Sequence, residues 1–130
     1  MENRGYSAEI TEVVGLDLTK KQIVAITTSD TSVPLDAYVE EHGEFEIENI
    51  SGYVKVQIHN EQAKGEDKDY AKYIILTNDG ESFSTGSESF MNTFINIFEN
   101  MEGEDDWGIK VLRKPSKNFS GKYFLTCAVI

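Results

Sequence analysis

Near residue 85 the hydrophobic period of the chain changes from two to 3.6, and this happens at one place in the sequence. Behind that point Phe90, Phe94, Ile97, Phe98 and Met101 fall on one helical face, and Met91 and Ile95 widen it. The preceding Thr85-Gly86-Ser87-Glu88 fits the capping box S/T-x-x-E, in which Thr85 caps the third amide and Glu88 returns to the cap amide. The spacing predicts one amphipathic helix over about residues 86–101. Three phenylalanines on one face need a sheet to cover them, at roughly 2 kcal/mol per buried ring. Core packing is the reading for those rings, ahead of a cofactor groove.

Strand periodicity surrounds this helix. Residues 6–14 are strand-like, with Ala8, Ile10 and Val13 turned inward, and the β-branched run 22–28 reads as a buried strand. Residues 34–41 form a short helical turn stopped by His42-Gly43. Phe45 and Ile47 alternate with glutamates. In residues 53–59, Val54, Val56 and Ile58 face a core, which leaves Tyr53, Lys55, Gln57 and His59 in an outward row. Residues 60–69 read as a loop. Strands over 70–77 and 81–85 are joined by Asn78-Asp79-Gly80, a hairpin signal because these residue types tolerate positive φ. An acidic loop follows the helix at 99–106, then strands at 109–112 and 123–130 with a turn over 115–121 between them. Such an order, roughly six to eight short strands and one late helix, predicts a β-rich α+β chain, specifically a small antiparallel Greek-key barrel. At 130 residues it is expected to be a single domain.

Charge is divided along the chain. Residues 107–130 carry Lys110, Arg113, Lys114, Lys117 and Lys122 and no carboxylate side chain, whereas all 23 acidic residues precede Trp107. Seven basic residues lie among them, so the formal charge is −16 before Trp107 and +5 after it. A polyanion responds to local potential rather than to the net −11. The basic stretch also holds Trp107, Phe119, Tyr123 and Phe124. Cations interleaved with flat rings are what single-stranded nucleic acid binds. An edge hairpin protected by lysines, with its rings in the core, is the other reading of the same residues.

Enzyme chemistry has little to stand on. The chain has no P-loop and no G-x-G-x-x-G, and His42 and His59 lie apart without further ligands, so no cofactor, metal site or enzymatic activity is expected. The lone Cys127 sits in an apolar run and is expected to be a buried small hydrophobe. No apolar run approaches the ~20 residues that span a bilayer. Met1-Glu2-Asn3-Arg4 has no secretory pattern, which predicts a cytoplasmic protein without a membrane partner.

Two stretches together, YIILTNDGESFSTGSESFMNTFINIF at 73–98 and VLRKPSKNFSGKYFLTCAVI at 111–130, resemble the single-stranded DNA-binding proteins of phages and prophages of Gram-positive bacteria. GYVKVQIHNE at 52–61 fits the same resemblance, whereas the first 50 residues carry none of it. The resemblance implies an OB-fold that coats single strands during phage replication or recombination, with replication or recombination proteins as further partners. The chain departs from the acidic tail common among such binders, and the acidic loop 102–106 is a candidate substitute for partner recruitment.

Residue type assigns the roles. Lys110, Arg113, Lys114, Lys117 and Lys122 are expected at phosphates, Phe119 on a base, and Tyr53, Lys55 and Tyr73 in a platform on the sheet. Tyr123 joins the DNA-binding set, with a core role as its alternative. Monomer and homodimer are both open, because exposed edge strands permit pairing. The rival function is an acidic protein-binding module, an inhibitor that presents carboxylates to a basic host protein in the manner of DNA.

Overall fold

The computed structural model describes residues 6–28, 32–60, 69–104, 107–115 and 123–130. In chain order the elements are β1 (Tyr6–Val14), α1 (Lys20–Thr28), β2 (Val33–Pro34), α2 (Leu35–His42), β3 (Phe45–Glu48), β4 (Ile50–Asn60), β5 (Asp69–Thr77), β6 (Ser82–Thr85), α3 (Glu88–Asn100), β7 (Gly108–Pro115) and β8 (Tyr123–Val129). One sheet runs β1-β4-β5-β6-β2 and the other β3-β7-β8.

A single residue separates the sheets along the chain. Asn49, between β3 and β4, has φ 57, a left-handed conformation that a short amide side chain tolerates. The β5–β6 turn braces this kink: the Asn78 amide donates to the Asn49 carbonyl at 2.8 Å, and Asn49 Nδ2 donates to Asp79 Oδ2 at 3.1 Å. Residues 45–60 thus act as one bent strand, pairing with β7 before the bend and with β5 and β1 after it. Gly108 starts β7 where a Cβ would run into the Ile47 carbonyl, so a glycine lets the two backbones approach.

The main core lies where the sheets and two helices converge. Phe90, Met91 and Phe94 of α3 and Leu35 and Val39 of α2 meet Ile75, Phe83, Ile109, Val111, Leu125 and Cys127. The phenylalanine face read from the sequence is the face that is buried. Val54, Val56, Ile58 and Ile74 form a smaller cluster, with Leu18 and Ile26 packed against it.

Four expectations are corrected. Residues 22–28 belong to helix α1 rather than a buried strand, and no residue of that helix is fully buried. Its start is a reciprocal cap: the Gln22 amide donates to Thr19 Oγ1 at 3.1 Å and the Thr19 amide to Gln22 Oε1 at 2.8 Å. Helix α3 is capped by Ser87, not Thr85; Ser87 Oγ accepts from the Phe90 amide at 3.2 Å, while Thr85 Oγ1 accepts from the Ser87 amide. Strand β2 joins β6 in parallel, so the larger sheet is mixed. Among the described residues the two sheets form no closed barrel, whereas α2 is the short helical turn expected over 34–41. The architecture is a sheet-rich α+β fold.

Candidate nucleic-acid interface

Strands β7 and β8 pair from Ile109↔Val129 to Pro115↔Tyr123. Alternation turns Ile109, Val111, Leu125 and Cys127 into the core. Burial holds the Cys127 thiol protonated, its pKa pushed up to about 12, so it is a core side chain and not a nucleophile. Beyond Val111 the hairpin outruns the core. Arg113, Lys114, Pro115, Tyr123 and Phe124 are all exposed, with Tyr123 at 59%.

This outer end carries cations and rings on both faces. Arg113 Cζ lies 5.1 Å from the centroid of the Tyr123 ring. On the other face Lys114 is directly opposite Phe124. Phe124 was not among the expected binding residues. Its signal was in the sequence nonetheless: if Leu125 and Cys127 point inward, Phe124 points outward. An exposed guanidinium on an exposed tyrosine costs desolvation that only a modest cation–π attraction offsets, and the ring edge and remaining donors stay open to a ligand.

Lys110 sits nearer the core and is engaged, its Nζ 3.3 Å from Glu44. That exposed pair adds little stability, but it lowers the positive potential Lys110 can offer a phosphate. Lys117, Phe119 and Lys122 lie outside the described residues.

The expected platform on β4 and β5 is divided. Lys55 and Tyr73 are cross-strand partners, and Lys55 Nζ stands 5.8 Å from the Tyr73 ring centroid. Both are half-buried. Farther along, Gln57 Nε2 donates to the Tyr70 carbonyl and His59 Nδ1 is 2.6 Å from Asp69 Oδ1. Tyr53, expected to face outward, is only 5% exposed, because α3 covers that end of the face. Its ring meets Phe94 and Phe98 edge-on at 5.7 and 5.5 Å, which leaves no face for a base. Burial first, then the carboxylates of Glu12 and Glu99, raise the pKa of its hydroxyl. Trp107 is also inward, 8% exposed and 6.0 Å from Phe98.

Among the described residues no three His, Cys, Asp or Glu side chains converge as metal ligands, and no helix is long and apolar enough to cross a membrane. No protein-family model, curated protein or solved structure matches this chain.

Proposed function

We propose that this protein binds single-stranded DNA without sequence preference, the outer end of the β7–β8 hairpin serving as the main contact surface. The observation that carries the reading is the exposed Arg113–Tyr123 stack with Lys114 opposite Phe124 on the reverse face. Cations there meet phosphates and rings meet bases, a combination that every base can use. Strand order lends support to the OB reading. With β3 and β4 counted as one bent strand, five strands (β3/β4, β5, β6, β7, β8) wrap the α3 side in a partly open arrangement, to which β1, α1, β2 and α2 are additions. In OB-folds the second and third strands and the loops after the first and fourth strands contact oligonucleotides. Tyr73 lies on the second of these five strands, and Arg113, Lys114 and Tyr123 flank the connection after the fourth. Coating of single strands in replication or recombination follows from the resemblance described above.

The test is a fluorescence-anisotropy titration of labelled oligo(dT) at several salt concentrations, with duplex of equal length as the control. Saturable binding to the single strand, weak binding to duplex, and log K falling by about 0.7 per engaged phosphate for each tenfold rise in salt are expected. Absence of single-strand binding at low salt overturns the proposal.

A further inference from the structure

The outer end of the β7–β8 hairpin has two usable sides, and one strand of nucleic acid needs only one. Pairing of Arg113 with Leu125, Lys114 with Phe124 and Pro115 with Tyr123 divides the side chains by the two-residue period. Arg113 and Tyr123 project to the side on which Leu125 enters the core, with the guanidinium 5.1 Å from the ring centroid. Lys114 and Phe124 project to the other side, which they share with Leu112, Thr126 and Ala128. Each side therefore holds a cation and a ring of its own.

Neither pair is accounted for by folding. All four side chains are exposed, Phe124 at 42%, so neither ring is committed to the core. Residues 107–130 contain no carboxylate side chain, so nothing within the hairpin neutralises Arg113 or Lys114. Protection of a hairpin edge asks for charge alone, and an exposed ring beside the lysine adds apolar surface that such protection avoids. Rings on opposite sides of one backbone layer also cannot serve one stacked run of bases. A strand lying on Tyr123 leaves Lys114 and Phe124 uncovered.

We infer that, given single-strand binding at this hairpin as proposed above, its outer end holds two strands at once and brings them together for pairing. One strand lies against Arg113 and Tyr123, the other against Lys114 and Phe124. On each side the cation takes a phosphate and the ring takes a base, without regard to sequence. Stacking uses the faces of the bases and leaves their hydrogen-bonding edges open to a complementary strand. Two polyanions held this close repel each other, and the cations on both sides of the hairpin offset that repulsion. A second strand held on the same chain meets the first at an effective concentration of about millimolar, far above its bulk value. Pairing begins where the two strands run past the hairpin.

The experiment mixes the full chain with two oligo(dT) strands of about ten nucleotides, one carrying a donor fluorophore and the other an acceptor. Energy transfer between them is expected, saturating at two strands per chain. Annealing of complementary strands at nanomolar concentration should accelerate by roughly tenfold or more. Arg113→Ala with Tyr123→Ala, and separately Lys114→Ala with Phe124→Ala, should each leave one strand bound per chain and abolish both transfer and accelerated annealing. Circular dichroism verifies that both double variants fold. If one double variant loses all binding while the other keeps the transfer, each chain has a single binding side and associated chains do the bridging, which overturns the inference. A parent stoichiometry of one, with both double variants weakening that one strand, would mean a strand wrapped around the hairpin and would also overturn it. In both of those outcomes single-strand binding itself stands, whereas a parent that binds no oligo(dT) removes the strand-binding reading and this inference together.

Discussion

Strand β7 begins inside the molecule and ends outside it. At one end Trp107, Gly108 and Ile109 are buried, surrounded by aromatic rings and clefts lined with glutamates. At the other, Arg113, Lys114 and Pro115 are exposed beside Tyr123 and Phe124, with positive charge and no local carboxylate on β7 or β8. Seven steps of about 3.3 Å put the two ends roughly 23 Å apart, more than two Debye lengths at physiological salt. Along β7 the glutamate-lined clefts and the exposed Arg113 and Lys114 are therefore set apart, and each end can present its own potential. The buried end anchors the fold through packing, whereas the exposed end contributes little to folding and has its side chains free for a ligand.

This contrast breaks if substitutions at the two ends have similar consequences. The largest effect is expected from Trp107→Ala at the buried end. Loss of a packed indole against Phe98 should lower unfolding free energy by about 3–5 kcal/mol in urea titrations. The oligo(dT) affinity of the protein that remains folded should stay close to the parent's.

At the exposed end the pattern reverses. Tyr123→Ala and Phe124→Ala should each weaken oligo(dT) binding by about 1–3 kcal/mol if the ring stacks on a base. Their urea midpoints should change stability by no more than about 0.5 kcal/mol, as for surface substitutions. A large stability loss with unchanged affinity would make these rings part of the core and return the hairpin to the role of a protected edge.

Alkaline pH sharpens the comparison along β8. The Cys127 thiol titrates near 12 in the folded chain against a reference of 9.0. Between those values the unfolded chain has lost the proton and the folded chain keeps it, so stability falls as pH rises. The slope attributable to this thiol is at most about 1.4 kcal/mol per pH unit. Below pH 8 Cys127 makes no such contribution. Replacement by Ala should remove the cysteine's share of the alkaline slope, measured by urea unfolding at pH 9 to 10.5.

The smallest effect belongs to Lys110, midway between the ends. Lys110→Ala should change stability by about 0–1 kcal/mol, because its pairing with Glu44 is exposed. It should also reduce the salt slope of oligo(dT) binding by less than Arg113→Ala does, since Glu44 already compensates its charge.

Much of this architecture could be read locally. The 3.6-residue spacing of Phe90, Phe94 and Phe98 produced α3 with the expected face inward. Asn78-Asp79-Gly80 produced the β5–β6 turn, where Gly80 has φ 86. Residues 22–28 form helix α1 although Ile23, Val24 and Ile26 favour a strand, because Thr19-x-x-Gln22 is a capping box. β-Propensity is a weak term, and a reciprocal cap with a sheet face to cover outweighed it.

The platform on β4 shows the limit of periodicity. Alternation states correctly that Tyr53 and Lys55 share a face, but it cannot say what lies above that face. Helix α3, some 40 residues later in the chain, covers Tyr53 and stops short of Lys55. The same holds for Phe124, whose exposure depends on the core ending at Leu125.

What the sequence determined by itself was local: the phenylalanine helix, the Asp-Gly turn, the strand faces and the separation of +5 from −16. These depend on backbone preference and on side-chain spacing within one element, which neighbouring residues set. Tertiary structure alone decided which half of each face is covered, that residues 45–60 bend at Asn49 to serve both sheets, and that the acidic and basic ends stand apart on one strand. Those outcomes come from contacts between residues distant in the chain, and burial is a property of the partner as much as of the residue.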